Sequence, residues 1–205
     1  MKVITDIKPQ VKTPTRCSIY LDNAFYCGLE LETVMRYRLK IGDQIEPEKL
    51  DEIQFDSERA RALDKALSFI TKSKKTQRQV KEHLYSKGYT EQTVESVIEK
   101  MKDYRFLDDS DYALVYAKSY SKNKGKRLIE MELKRKGVSD DDMTEALENI
   151  GDQTDSAAAI AEKYLKNKQK DKTNLLKCYK YLLSKGFEYD VAKSAVDRLG
   201  NNEDD

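Results

Sequence analysis

The sequence predicts a mainly α-helical fold of three tandem three-helix repeats, preceded by a small α+β appendage. Three observations support this prediction. The 205 residues include only 8 Gly and 3 Pro, so helix breakers are scarce. One six-residue pattern recurs with a fixed period of 49 residues. The apolar residues around each copy of that pattern follow the spacing of one helical face.

The recurring pattern is Leu-x-x-Lys-Gly followed by an apolar or aromatic residue. Its glycines are evenly spaced along the chain at Gly88, Gly137 and Gly186. A fixed period of this length is typical of repeat architectures. Lys in the last helical turn and Gly in the left-handed position beyond it are a common way to end a helix. The pattern therefore predicts a helix end at each glycine.

Two more helices are predicted in each repeat. After the first glycine, apolar residues have i, i+3, i+4, i+7 spacing: Val94, Val97, Ile98 and Met101. Thr90 and Ser139 can cap the helices that follow their glycines. The first helices are expected at about residues 57–71, 110–120 and 155–167, with Ala60, Leu63, Ala66, Leu67 and Ile70 facing the core in the first of them.

A single repeat buries little apolar surface, so neighbouring repeats are expected to stack into an elongated, curved body. The predicted domains are an appendage, three repeats and an acidic disordered tail, at residues 1–56, 57–107, 108–153, 154–200 and 201–205.

The appendage is predicted to contain a β-hairpin. Two apolar stretches, residues 17–21 and 24–27, flank the turn-forming pair Asp22-Asn23. Residues 3–7 are expected to add a strand, and residues 31–39 a short helix that ends before a turn at Gly42-Asp43. Residues 47–55 are expected to lead into the first repeat.

Composition excludes several classes of protein. There is no run of 18 apolar residues, so no membrane span is predicted, and no secretory signal is recognised at the N-terminus. Cys17, Cys27 and Cys178 are scattered and accompanied by one histidine, which argues against a disulfide framework or a zinc site and fits the cytoplasm. The net charge of +1 points to no class of partner.

The second repeat resembles the RecX family of regulatory proteins. The resemblance rests on Leu107-Asp108-Asp109-x-Asp111-Tyr112-Ala113, on Tyr116-Ala117, on Gly125-Lys126-Arg127-Leu128-Ile129, and on the Lys136-Gly137 turn. Residues 66–89 are similar to the family's first repeat, and the appendage is similar to the extension of longer Gram-positive members. The chain departs from the family pattern at Gln79, where an acid is usual, and at Lys126, where Pro is frequent. Thr76 keeps a capping hydroxyl.

The resemblance implies a regulator of the RecA recombinase. Members bind RecA and its filament on single-stranded DNA, and they typically inhibit strand exchange, ATP hydrolysis and RecA-stimulated self-cleavage of other proteins. This implies a role in homologous recombination, DNA repair and the SOS response, here for a monomer in the cytoplasm. Some members also bind DNA directly. The alternatives are a direct nucleic-acid-binding repeat protein, for single- or double-stranded DNA, and a general helical scaffold.

Basic side chains cluster between the first and second helices of every repeat. The thirteen candidate partner- or DNA-binding residues are Lys72, Lys74, Lys75, Arg78, Lys118, Lys122, Lys124, Lys126, Arg127, Lys166, Lys168, Lys170 and Lys172. Stacked repeats are expected to bring the clusters to one edge, as a basic stripe for DNA phosphates or for acidic patches of a filament. The alternative is three solvated lysine-rich loops.

Other residue groups are better explained by structure than by chemistry. Asp108, Asp109 and Asp111 suggest a magnesium site or an acid–base pair, but Asp before a predicted helix is usually a cap. Aromatic side chains that could stack on bases have core spacing: Tyr104, Phe106, Tyr116, Tyr120, Tyr164, Tyr179 and Tyr181. His83 has no nucleophile motif beside it, and no phosphate-binding loop is present. We therefore expect no catalytic, cofactor or metal site, and a protein that is not an enzyme.

Overall fold

The computed structural model describes residues 1–200; the predicted acidic tail at 201–205 lies outside them. The described chain is mainly helical, as predicted, with a small sheet at its N-terminus. It separates into two compact units. The first comprises Met1–Ser73 and Val80–Tyr104, and the second comprises Lys74–Gln79 and the described residues from Arg105 onward.

The N-terminal sheet has four antiparallel strands in the order β3-β2-β1-β4. They are β1 (Lys2–Gln10), β2 (Thr13–Leu21), β3 (Ala24–Glu30) and β4 (Gln44–Ile45). Asp22 and Asn23 both have positive φ, 49° and 69°, which is the geometry that a two-residue hairpin turn requires. The predicted hairpin and first strand are confirmed. Helix α1 (Leu31–Arg36) matches the predicted short helix.

Helix α2 spans Pro47–Ile70 and corrects the predicted lead-in at 47–55. The helix begins there because Pro47 occupies its first turn and because Leu50 and Ile53 pack in the core cluster of the sheet. The Ser57 hydroxyl accepts hydrogen bonds from the Glu30 amide and the Thr33 hydroxyl, both at 3.1 Å. The appendage thereby sets where the helix starts and which way it faces.

The register of α2 differs from the prediction at Ala60, which is exposed. Ala62 is fully buried instead, and Ala66 is fully buried as predicted; both lie on the face that continues from Ile53 and Ser57. Helix α2 also runs across the predicted domain boundary at residue 56 without a break. The division of the chain at 57, 108 and 154 remains a prediction.

Three-helix repeats follow. The second and third helices of the first repeat are α3 (Gln77–Ser86) and α4 (Glu91–Asp103); α2 supplies the first. The second repeat comprises α5 (Asp109–Tyr120), α6 (Lys126–Arg135) and α7 (Asp140–Glu148). The third comprises α8 (Thr154–Leu165), α9 (Lys172–Ser184) and α10 (Tyr189–Gly200).

Each Lys-Gly pair ends the second helix of its repeat, as predicted. The φ angles of Gly88, Gly137 and Gly186 are 84°, 84° and 85°. The amide after each glycine donates back to the helix, from Tyr89 to Leu84, from Val138 to Leu133 and from Phe187 to Leu182. These are the hydrogen bonds of a Schellman motif. Val138 and Phe187 then pack in the cores of their own repeats.

Two aspartates at the start of the second repeat bind helix N-termini. The Asp108 carboxylate caps α5 by accepting from the Asp111 amide at 2.9 Å, and the Asp109 carboxylate accepts from the Gln77 amide at 2.9 Å. Thr90 and Ser139 cap α4 and α7 as predicted. Among residues 1–200, no group of three or more His, Cys, Asp and Glu is placed to hold a metal ion.

Candidate functional site

Successive repeats are joined where the start of one second helix meets the Lys-Gly turn of the next repeat. The Thr76 hydroxyl, fully buried, donates to the Lys136 carbonyl at 2.6 Å. The Thr76 hydroxyl oxygen also accepts a hydrogen bond from the Gln79 backbone amide at 3.3 Å. The Gln79 side chain in turn accepts from the Thr76 backbone amide at 3.1 Å. Thr76 and Gln79 thus form a capping box whose hydroxyl also binds the next repeat.

The same contact joins the second and third repeats. Gly125 occupies the position of Thr76 in the 49-residue period. Its amide donates to the Lys185 carbonyl at 2.9 Å, and the Arg127 amide donates to the Gly186 carbonyl at 3.1 Å. A Cβ atom at Gly125 would lie 2.1 Å from the Gly186 backbone. Only glycine fits here, because the two backbones are in contact.

A polar side chain between repeats completes each contact. The Gln153 side chain, 5% exposed, accepts from the Lys126 amide at 2.9 Å and donates to the carbonyls of Ser121 and Lys124 at 2.8 and 2.9 Å. Gln153 accepts a hydrogen bond from the first amide of α6, as Asp109 accepts one from the first amide of α3. Sequence reasoning missed Gln153, because a glutamine in a short linker carries no signal of burial.

The third repeat ends the series differently. Helix α9 begins one turn earlier in the period than α3 and α6. The Asp171 carboxylate caps it by accepting from the Asn174 amide at 2.7 Å. Asn174 occupies the position of Gly125 in the period, so its amide is the group that would donate to a further Lys-Gly turn. That amide already has a partner within its own repeat.

Several predicted basic residues have partners inside the protein. Lys74 contacts the Asp111 carboxylate, and the Arg78 side chain packs against Gly137. Lys124 is half-buried, at 23% side-chain exposure, and forms an ion pair with Glu132 at 2.6 Å. The Arg127 guanidinium lies over the Tyr189 ring, 4.6 Å from its centroid. Lys74, Arg78 and Arg127 thus contact a neighbouring repeat, whereas Lys124 pairs within its own repeat.

Other members of the three basic clusters are exposed: Lys72, Lys118, Lys122, Lys166, Lys168 and Lys172. Lys75, Lys126 and Lys170 are partly buried. The candidate residues thus differ in their exposure and in their contacts within the protein. That all thirteen form one binding stripe remains a prediction.

The second repeat carries a ladder of aromatic rings beside lysines. Tyr112, Tyr116 and Tyr120 follow one another along α5, with centroid separations of 5.9 and 4.5 Å. The Lys124 ammonium lies 4.3 Å from the Tyr120 centroid, and the Lys136 ammonium lies 5.4 Å from that of Tyr116. Such distances are typical of cation–π contacts.

Glu132 lies at the centre of this group. Its carboxylate accepts from Lys124 at 2.6 Å through both oxygens and from the Tyr116 hydroxyl at 2.8 Å. Burial by itself raises the pKa of Glu132, but the hydrogen bonds from Lys124 and Tyr116, together with the charges of Lys124 and Lys136, outweigh it, and the pKa lies below its ordinary value. Burial and the bond to Glu132 raise the pKa of Tyr116.

The third repeat has a related group. The rings of Tyr164 and Tyr181 stack at 4.8 Å. The Lys168 ammonium lies 3.3 Å from the Tyr164 centroid, and the Lys185 ammonium lies 5.3 Å from that of Tyr181. Tyr181 occupies the position of Glu132 in the period, and Lys185 occupies that of Lys136.

In the first repeat the stacked pair is Phe69 and His83, with centroids 4.1 Å apart and planes 5° from parallel. His83 again occupies the position of Glu132. Burial, and then the charges of Lys87, Lys65 and Lys72, lower the pKa of His83.

The aromatic residues divide between packing and exposure. The rings of Tyr116, Tyr164, Tyr179 and Tyr181 are partly buried, as expected for packing, whereas Tyr104, Phe106 and Tyr120 are exposed. Within residues 1–200, no helix is long and apolar enough to cross a membrane.

The fold and these contacts define a tandem helical-repeat protein with an N-terminal sheet. Family models match the chain as the regulatory protein RecX N-terminal domain at residues 2–46, the RecX first three-helix domain at 62–101 and the RecX second three-helix domain at 108–147. The chain belongs to the RecX family of regulatory proteins.

Curated relatives match over nearly the full length. Regulatory protein RecX of Clostridium perfringens is 36% identical over 99% of both chains. That of Bacillus subtilis is 31% identical over 100% of this chain and 80% of its own.

Solved structures share the fold. A crystal structure of a regulatory protein RecX superposes with a TM-score of 0.69 at 23% identity, covering 96% of this chain and 100% of that one. RecX from Lactobacillus salivarius gives 0.65 at 26% identity, covering 69% of this chain and 96% of that one.

Proposed function

We propose that this protein regulates the RecA recombinase by binding the RecA filament on single-stranded DNA. The observation that carries the proposal is the repeated contact between a second helix and the next Lys-Gly turn, in a chain that belongs to the RecX family. Because this contact recurs with the 49-residue period, equivalent side chains recur at a regular interval along the chain. A partner that is itself a repeating polymer suits such a surface, since several weak contacts then act together.

The proposed mechanism is steric and requires no catalytic step. The repeats occupy the groove of the filament and contact more than one RecA protomer. Incoming DNA is excluded from the groove, and the protomer movements that accompany ATP turnover are hindered. Strand exchange, ATP hydrolysis and stimulated self-cleavage all decrease, and the protein acts as a monomer in the cytoplasm.

Exposed basic side chains support this mechanism. Lys72, Lys118, Lys122, Lys166 and Lys172 are exposed and form no ion pair with another residue among 1–200. Charges that are free of internal partners are available to acidic protein patches or to DNA phosphates. Paired residues such as Lys124 contribute less to this surface.

The experiment is a titration of this protein into DNA-dependent ATP hydrolysis by the cognate RecA. We expect the rate to fall progressively and to saturate. A variant carrying Lys118→Glu, Lys122→Glu, Lys166→Glu and Lys172→Glu should require a higher concentration for the same inhibition. Unchanged ATP hydrolysis at a saturating ratio of wild-type protein would remove the proposal.

A direct nucleic-acid-binding protein is the second candidate, favoured by the same exposed lysines. It predicts binding to bare single-stranded DNA with a steep dependence on salt, and no effect on RecA when the DNA is in excess. Inhibition that persists with excess DNA present favours the filament instead.

A further inference from the structure

The Lys-Gly turn of the first repeat is not covered by a helix start, unlike the other two. In the second and third repeats, the carbonyls of Lys136 and Lys185 accept hydrogen bonds from the starts of α3 and α6. No backbone hydrogen bond within residues 1–200 is donated to the carbonyl of Lys87 or Gly88. Both residues are exposed, and a Cβ at Gly88 would meet nothing within 4 Å. The first repeat therefore keeps the turn while its acceptors face solvent.

The two covered turns show what such a turn binds. A Cβ added at the turn glycine would lie 2.4 Å from the Arg78 side chain at Gly137, and 2.4 Å from Leu128 at Gly186. The helix start thus lies directly against the glycine and leaves no room for a side chain there. The end of the second helix also carries partial negative charge, and a helix N-terminus carries partial positive charge, so the two ends attract each other.

The two helix starts that bind these turns share a sequence pattern. Thr76-Gln77-Arg78 and Gly125-Lys126-Arg127 each have a residue that donates to the turn two positions before an arginine. The Arg127 guanidinium lies over the Tyr189 ring at the start of α10. Two periods earlier, the position of Tyr189 is occupied by Glu91, which is exposed in the first turn of α4. A carboxylate there suits an arginine on an incoming helix, because the two groups can pair through two parallel hydrogen bonds.

A second copy of this chain does not offer the matching helix start. Thr76 and Gly125 already bind turns within the protein. At the same position of the third repeat, the Asn174 amide is bound by Asp171, and Leu176 stands where the arginine would be. The occupant that fits the first turn is therefore a helix of a different protein.

We propose that the Lys87-Gly88 turn, together with Glu91, binds the N-terminus of a helix on a partner protein. That helix start has Gly, Ser or Thr at the position that donates to the turn and arginine two positions later. The contact is of the kind that joins the repeats internally, with the partner's helix in place of α3 or α6.

This inference rests on the proposed function, since the partner helix belongs to a RecA protomer of the filament. The probe is therefore the preassembled filament of the cognate RecA on single-stranded DNA, and binding of the full chain is measured by co-sedimentation. Wild-type protein that does not sediment removes the proposed function and this inference with it. Wild-type protein that sediments, beside a blocked turn that binds equally well, overturns this inference alone.

Gly88→Asn and Gly88→Ala block the turn with side chains of different size. Asn adopts the left-handed conformation with less strain than Ala but extends further into the space where the helix start would lie. We expect binding about tenfold weaker for Gly88→Asn, with a loss at least as large as that of Gly88→Ala. A larger loss for Gly88→Ala would follow backbone strain and would overturn the proposal. Gly151→Asn is the control, because Gly151 also has positive φ, 69°, and open space around it; it should bind as wild type does.

Glu91→Lys tests the charge of the surface without changing the turn. We expect binding about two- to fivefold weaker, since an exposed ion pair with the partner's arginine is replaced by repulsion. Glu99→Lys makes the same charge change at another exposed position of α4 and should bind as wild type does. Equal binding by the two lysine variants overturns the assignment of Glu91. Self-association of the wild-type chain in sedimentation velocity, lost in Gly88→Asn, would assign the turn to a second copy and overturn the proposal.

Discussion

The Thr76 hydroxyl and the Lys136 carbonyl are 60 residues apart in the chain and 2.6 Å apart in space. This hydrogen bond links the start of α3 to the Lys-Gly turn of the second repeat. Gly125 and Lys185 make the corresponding backbone contact one period later. The Lys-Gly turns of the second and third repeats therefore have two roles: each ends a helix, and its carbonyl groups accept hydrogen bonds from residues at the start of α3 or α6.

Thr76→Val should destabilise the protein. The substitution keeps the size of the side chain but removes the donor to Lys136 and the acceptor for the Gln79 amide. Leaving buried polar groups unpaired costs about 1–3 kcal/mol. Urea unfolding followed by circular dichroism measures the loss. Thr173→Val, at an exposed position of α9, is the control, and equal stability of the two variants would contradict the role of Thr76.

Gly186→Ala should cost more stability than Gly88→Ala. Both glycines have the same left-handed φ, so the backbone strain of about 1–2 kcal/mol is common to both variants. A Cβ at Gly186 would lie 2.4 Å from the Leu128 backbone, whereas a Cβ at Gly88 meets nothing within 4 Å. The steric conflict adds about 1–3 kcal/mol. Thermal unfolding of the two variants gives the comparison. Similar losses of stability would show that Gly186 is not in close contact with α6.

Gln153→Leu should destabilise the junction between the second and third repeats. The change leaves the Lys126 amide and the carbonyls of Ser121 and Lys124 without their partner. We expect a loss of about 2–4 kcal/mol in the free energy of unfolding, from several unpaired groups at about 1–3 kcal/mol each. Gln92→Leu, at an exposed site on α4, is the matched control. A stable Gln153→Leu protein would mean that water replaces the side chain at no cost.

Glu132 should stabilise the fold only above acidic pH. Its pKa in the folded protein lies below the ordinary value of 4.5, so its contribution is fully present above that pH and is lost as pH falls through the lower, folded-state pKa. Glu132→Gln should therefore destabilise the protein at pH 7, with a difference from wild type that shrinks below pH 4.5. Urea unfolding at several pH values measures it. A difference that is constant with pH would exclude the ion pair as the cause.

The sequence predicts the local features well. The helix ends at Gly88, Gly137 and Gly186 depend on neighbouring residues and on backbone φ, so the pattern alone locates them. The hairpin at Asp22-Asn23 is local in the same way. The fixed period then places equivalent residues in all three repeats, which accounts for the confirmed fold class.

Features that depend on distant partners were missed or misjudged. Helix α2 starts at Pro47 because Leu50 and Ile53 face the sheet, and no pattern within α2 reveals the sheet. The burial of Gln153 requires three backbone groups from another segment. Lys124 resembles any loop lysine in sequence, and only its contact with Glu132 shows that it is partly structural.

Co-sedimentation with preassembled RecA filaments tests the proposed function most directly. Filaments on single-stranded DNA are pelleted with increasing amounts of this protein, beside a sample of the same DNA without RecA. We predict saturable recovery of the protein in the filament pellet, well above recovery with DNA alone. Protein that stays in the supernatant at every concentration, in a preparation whose circular dichroism shows the helical fold, would contradict regulation through the filament.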